Sequence, residues 1–467
     1  MAEEAWHEAR LIPTSGINGA EEQERRGTSA LLAVLFAVRE FGRALTQPFG
    51  APIGPIHTYI EVPFELDGHR LYPDGLIRVT RGQKTWTALV EVKTGTNELK
   101  AEQLESYLDL AREQGFQALI TISNEVPAIA GQHPTKVDRR KLKRVDLFHL
   151  SWMQVLSEAV MQMEHRGVAD PDQAWILGEL IRYLEHTRSG AMEFQDMGSS
   201  WVPVRDALSA GTLRATDKGA PEVASRFDAL LRFAGLRLGR QLGIEVTPVL
   251  SRRELTDPSV RSTALCESLA ASGTMAGAIR IPNTVGTLAV TVDLRASLVT
   301  CEVDVDAPRQ GRPLTRVNWL VRQLKDAPAT VRIESYALHG RGASSAALLR
   351  DLRAEASGLI GDPKRELRTF RIAVTSKLGT KRGIGRASFI DSVLAAIDGF
   401  YADVMQHVKA WSAAPPRMRD PEEIAVKPPV ALSSTAISSQ DGPEVVAESA
   451  DSETSVPDDI ETPAAQA

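Results

Sequence analysis

Two short apolar runs with ionisable residues at one end constrain this chain more than anything else in it: Tyr72-Pro73-Asp74-Gly75-Leu76-Ile77 and Ala88-Leu89-Val90-Glu91-Val92-Lys93. Ile77 and Val79 alternate with polar residues up to a turn at Arg81-Gly82-Gln83-Lys84, and Leu89-Val90 lie in an apolar run of strand length after it. That is a hairpin pattern. The strand period of two puts Glu91 and Lys93 on one face and turns Val92 into a core. The first strand brings Asp74 to the same place. Two carboxylates about 4 Å apart repel by roughly 4 kcal/mol at an effective dielectric of about 20, so a cation is expected between them. An oxygen-only pair of this kind suits Mg2+ or Mn2+ better than zinc.

The residues after Lys93 predict a helix that starts at Thr96 or Asn97, buries Leu104, Tyr107, Leu108 and Ala111, and stops at Gly115. Gln103 and Tyr107 are four apart and share a face of it. With Pro73-Asp74, Glu91-Val92-Lys93 and this helix in that order, residues 20–150, roughly a third of the chain, resemble the PD-(D/E)xK nuclease superfamily. The Gln-x-x-x-Tyr spacing resembles its RecB and lambda-exonuclease branch. The resemblance implies an α/β, restriction-endonuclease-like αβββαβ core and metal-dependent hydrolysis of DNA phosphodiesters. Asp74 and Glu91, with Glu24 from the preceding helix, would hold Mg2+, or Mn2+ in its place. Lys93 would orient or activate water and offset transition-state charge, while Gln103 and Tyr107 would position the site or the nearby phosphate. Glu24 is the acid of that helix whose direction fits; Glu21 is the alternative, Glu22 points to the side, and all three would also complement a helix N-terminus. The competing function is a nucleic-acid-binding or scaffold protein that keeps the fold without the chemistry.

The surrounding pattern extends that core. A helix is expected over 20–45, with Leu31, Leu35 and Val38 on its face and Leu32 and Phe36 beside them. A strand follows over 56–66, then a turn at Asp67-Gly68 and a strand over 69–79. A short apolar run at 116–122 has the size of a buried parallel strand, 145–150 reads as another, and a helix follows over 152–163. Between the last two strands, Lys136, Arg139, Arg140, Lys141, Lys143 and Arg144 are opposed only by Asp138. They would neutralise phosphates or form a solvated loop; the pattern leaves both open.

Further on, a helix over 172–186 precedes a Gly- and Ser-containing boundary near 191–221. The second half alternates helices (221–243, 314–324, 343–355, 387–411) with strands (278–281, 288–294, 298–306, 330–338, 369–374), an α+β pattern. The basic loop 377–386 lacks the Gly-Lys-Ser/Thr ending of a P-loop and reads as a connection, with contact to a nucleic-acid backbone as the alternative. The expected organisation is an arm (1–19), a nuclease-like domain (20–165), helices and a linker (166–220), an α+β domain (221–411) and a disordered acidic tail (412–467).

Charge and cysteine usage narrow the function classes. The net charge of −6 hides a division: residues 412–467 hold 3 basic and 11 acidic side chains, leaving 51 basic against 49 acidic elsewhere. The folded part is thus near neutral, and DNA stays open as a partner. Cys266 and Cys301 are the only cysteines, with no zinc spacing. No apolar run approaches about 18 residues and the first residues do not read as a signal peptide, so no membrane association and a cytoplasmic location are expected. A homodimer is compatible with all of this.

Overall fold

The computed structural model describes residues 11–14, 17, 19–127, 129, 131–191 and 194–413. The expected acidic tail, apart from 412–413, and most of the N-terminal arm lie outside them. Helix α1 (Ala20–Ala37) buries Leu31, Leu32, Val34 and Leu35, the face its periodicity predicts. Phe36, expected beside that face, is 56% exposed. The helix expected over 20–45 is divided at Val38, whose extended backbone separates α1 from α2 (Arg39–Thr46).

The strand expected over 56–66 is also divided. β1 (Ile56–Ile60) stops at Glu61, which takes a left-handed φ of 48°. The chain then makes a separate small hairpin, β2 (Phe64–Leu66) with β3 (His69–Leu71), closed by Asp67 and Gly68 at φ 49° and 76°. Two positive φ values in a row are what a tight hairpin turn demands. The strand expected over 69–79 is cut at Pro73, which has no N–H to give a ladder, and the chain re-enters as β4 (Gly75–Arg81).

β4 pairs antiparallel with both β1 and β5 (Lys84–Val92). α3 (Ala101–Glu113) then carries the chain over the sheet to β6 (Ala118–Ser123), parallel to β5, and β7 (Asp146–Ser151) lies parallel to β6. The sheet order is β1-β4-β5-β6-β7. One face carries Leu89 and Leu119 against Leu104 and Leu108 of α3. The other carries Val90, Val92, Ile120 and Ile122 toward α1 and α4 (Trp152–Val160).

Three helices follow: α5 (Pro171–Glu185), α6 (Trp201–Ser209) and α7 (Ala220–Leu242). The second sheet is antiparallel, in the order β13-β12-β14-β11-β10-β9-β8. In chain order it comprises β8 (Thr247–Pro248), helices α8 (Arg252–Thr256) and α9 (Pro258–Ser272), then β9 (Thr274–Arg280), β10 (Leu288–Asp293) and β11 (Leu298–Asp306). After α10 (Pro313–Gln323) come β12 (Arg332–Ala337), β13 (Ser345–Leu348), α11 (Leu349–Ala354), β14 (Leu367–Lys377) and α12 (Phe389–Phe400). The helix expected over 343–355 is thus half strand. In the loop after β14, Arg382 pairs with Asp196 at 2.9 Å, so it joins distant segments. α7 touches α4 on one side and β9 on the other, and one cluster of buried side chains runs from Ala30 to Val408. No described helix is long and apolar enough to cross a membrane. Cys266 and Cys301 are both buried and unbridged.

Candidate active site

Strand pairing brings the ionisable residues together. Gly75 lies opposite Val90, so Asp74, one residue before β4, falls beside Glu91, and Val92 N–H donates to Asp74 Oδ2 at 2.7 Å. Gly75 itself is required by a close approach: a Cβ there would sit 2.3 Å from Leu32 Cδ1 of α1. Lys93 follows directly on β5, and its ammonium lies 2.8 Å from Glu91 Oε1 and 3.3 Å from Glu24 Oε2. The same-face placement predicted for Glu91 and Lys93 is the geometry observed.

Helix α3 supplies the next shell of contacts. Gln103 Nε2 donates to Glu91 Oε1 at 2.7 Å and to the Tyr107 hydroxyl at 3.3 Å. Tyr107 in turn donates to the carbonyl of Tyr72 at 3.2 Å, two residues before Asp74. The shared helix face therefore ties both carboxylate-bearing segments to one element. Glu24 stands on the far side of the ammonium, where Asn97 Nδ2 donates to its other oxygen at 2.5 Å. Glu21 and Glu22 turn instead to Arg25 and Arg26 on their own helix, at 3.2 Å and 2.6 Å.

Glu91 is 1% exposed and no N–H or hydroxyl donates to its Oε2; its carboxyl and that of Asp74 lie within hydrogen-bonding reach of each other, a contact that needs one of the two protonated. A buried carboxylate oxygen without a donor costs roughly 1–3 kcal/mol or more. Burial first, and then the neighbouring Asp74, push the Glu91 carboxyl up to about 8. Burial likewise raises Asp74, against the pull of the Val92 N–H and Lys93. For Lys93 burial acts downward, but the Glu91 carboxylate outweighs it and lifts the ammonium to about 12. Burial also raises Tyr107 to about 12, so its hydroxyl keeps its proton.

Fully ionised, Asp74, Glu91, Glu24 and Lys93 would carry a net charge of −2, the deficit one divalent cation cancels. The donor set fits such an ion: Glu91 Oε2 is a hard oxygen without an N–H or hydroxyl donor and faces the Asp74 carboxyl, so a cation between the two would take the place of a shared proton. Among the described residues, no three His, Cys, Asp or Glu side chains form a ready-made metal group. The reason is local, since the Lys93 ammonium stands between Glu91 and Glu24. A cleft of about 400 Å³ opens from Asp74 and Glu24 past Tyr72, Arg25 and Glu61.

The basic run lies elsewhere. Lys141 pairs with Asp109 on α3 and Arg140 with Asp138. Asp109 is about 9 Å further along α3 than Gln103 at 1.5 Å per residue. The run precedes β7, at the opposite end of the parallel strands from Glu91, so Arg139, Arg140, Lys141, Lys143 and Arg144 are not brought to the carboxylates.

Several supporting residues gave no signal in the sequence. Trp152 Nε1 donates to the Lys93 carbonyl at 2.9 Å, and Asn124 Nδ2 donates to the carbonyls of Gly95 and Gly190 at 2.9 and 2.8 Å. Gly190 has φ 78°, and a Cβ there would lie 2.8 Å from that of Thr94. Thr121, in register with Glu91 on β6, meets His133 Nε2 at 2.8 Å and His149 Nδ1 at 2.9 Å. Burial drives the His149 imidazole down to about 3, so it stays neutral. These partners come from remote segments, and only spacing within one element was legible. Set against known proteins, the chain matches no family model and no curated sequence.

Proposed function

We propose that the chain is a metal-dependent nuclease that hydrolyses DNA phosphodiester bonds, with Asp74, Glu91 and Lys93 as its catalytic centre. The observation that carries this reading is Glu91 Oε2: a carboxyl oxygen held in the interior without an N–H or hydroxyl donor, directly beside the Asp74 carboxyl. The order β1-β4-β5-β6-β7, an antiparallel trio continued by a parallel pair, agrees with the restriction-endonuclease-like core implied by the sequence resemblance.

Asp74 and Glu91 would hold Mg2+ or Mn2+, with Glu24 joining them if Lys93 turns away from it. When bound, such an ion polarises a phosphodiester and lowers the pKa of water. Lys93, whose ammonium the Glu91 carboxylate holds above its ordinary value, would stand as a cation toward charge building on phosphate oxygens. Gln103 holds Glu91, and Tyr107 holds the Tyr72 carbonyl; both position the acids. A DNA strand would enter through the cleft beside Tyr72, where Arg25 is the basic residue in the wall.

The test is cleavage of labelled single- and double-stranded DNA with Mg2+ by the intact chain, Asp74→Ala and Lys93→Ala. The intact chain is expected to cut, and each variant to lose at least about a hundredfold, the scale of one charge-stabilising group. Equal activity in all three removes the proposal. One observation favours the second reading, a nuclease-like fold retained for binding alone: Glu24 is already satisfied by Lys93 and Asn97 without an ion. DNA binding that needs no divalent ion and survives Glu91→Gln, with no cleavage, would select it.

A further inference from the structure

A cavity of about 440 Å³ lies between the first sheet and helix α7, on the far side of the molecule's chemistry-bearing strands from α3. β7 contributes Phe148, His149 and Leu150 to its wall, α4 contributes Ser157, and α7 contributes Arg232 and Leu236. The volume is that of a small-molecule site.

Arg232 is the feature an ordinary packing cavity does not explain. The residue is 7% exposed, and burial alone, with no carboxylate, acts on its guanidinium among the described residues. The carboxylate one helical turn earlier, Asp228, is committed to Arg261 through both oxygens. Nη1 of Arg232 donates to the carbonyls of Pro127 and Ile129 at 2.9 and 3.4 Å, and Nε and Nη2 have no acceptor among the described residues. A buried guanidinium without an anion is costly, and its pKa is pulled down to about 10 by that burial. Ser157 Oγ, also in the wall, is buried without a partner. A second wall is apolar and flat, where Phe49 and Phe148 stack with centroids 4.5 Å apart.

We infer that this cavity binds a small aromatic oxyanion, its carboxylate or phosphate group against Arg232 and Ser157 and its ring against Phe49 and Phe148. The Arg232 guanidinium offers donors only and carries the charge, which selects a negatively charged acceptor; the Ser157 hydroxyl can donate to the same group. The stacked phenyl rings select a flat apolar body over a bare ion. The inference stands whether or not Asp74 and Glu91 cut DNA.

The experiment is calorimetric titration of the full chain with benzoate, phenyl phosphate, benzyl alcohol and inorganic phosphate. At least one aromatic anion is expected to bind, at least about tenfold more tightly than benzyl alcohol and inorganic phosphate, as loss of a charged hydrogen bond or of the ring predicts. Which of the two anions binds better identifies the acidic group. Arg232→Met should weaken binding by about tenfold or more. Leu236→Trp, which fills the cavity while leaving Arg232 in place, should abolish binding without shifting the unfolding temperature, so the test holds even if Arg232→Met fails to fold. The inference is overturned if neither anion binds, if the neutral alcohol binds as well, or if Leu236→Trp binds like the unaltered chain.

Discussion

At the scale of single residues, the fold makes the Glu91 and Asp74 carboxyls hard to ionise. Glu91 keeps its proton to about pH 8 in the folded chain, against an ordinary value of 4.5 in the unfolded one. Between those values the folded state binds more protons, so stability from this group is fully present below pH 4.5 and is lost as pH rises through 8. Glu91→Gln, which cannot ionise, should therefore abolish the decline and leave the variant more stable than the original at pH 8.5, measured by urea unfolding across pH. A decline of the same size in both would contradict the burial argument. Because a bound divalent ion needs the ionised form, Mg2+ binding should release a proton near pH 7, seen as a heat that depends on buffer ionisation. Tyr107→Phe removes the bond to the Tyr72 carbonyl and should cost about 1 kcal/mol. Spacing put Glu91 and Lys93 on one strand face and Gln103 and Tyr107 on one helix face, and the resemblance to a nuclease superfamily singled them out together with Asp74. That Gln103 and Tyr107 would grip protein groups was not legible, because their partners come from other segments.

At the scale of elements, legibility followed the strength of the apolar period. β11 was expected over 298–306 and is observed as Leu298–Asp306, since Val299, Cys301, Val303 and Val305 alternate without interruption. α9 escaped notice because it buries only Leu265, Cys266 and Leu269 in 15 residues. The strand β13 was expected as helix because Ser345-Ala346-Ala347-Leu348 favours helix locally, and pairing with β12 overrides that preference. The breaks at Glu61 and Pro73 have a consequence for the site, since they release β4 to pair directly with β1 and aim Asp74 at Glu91. The loop after β5 depends similarly on Gly190, where left-handed backbone and the Thr94 contact both exclude a side chain. Gly190→Ala should cost on the order of 1–2 kcal/mol and lower any activity more than Ala substitutions at exposed sites do. Unchanged stability in urea would show that the loop is held by other means.

At the scale of the whole molecule, the two sheets share α7 and one continuous interior. A fragment of residues 20–165 would leave α4 without α7 and α1 without α5, baring Trp152, Leu31 and Leu35 or their neighbours. Such a fragment should bind a hydrophobic dye and unfold without a sharp transition, whereas a chain ending at 413 should unfold cooperatively. Charge acts at this scale too. Removing 412–467 takes the formal charge from −6 to +2, so nucleic-acid affinity at low salt should rise. No change in affinity would mean that the acidic segment does not compete with the folded surface.

Diffraction from crystals soaked in Mn2+ shows whether Asp74 and Glu91 share a divalent cation. One anomalous peak is expected against Asp74 and Glu91, absent in Asp74→Asn, with Lys93 drawn away from at least one of its carboxylate partners. A map with no peak there, and Lys93 still bridging Glu91 and Glu24, would contradict it.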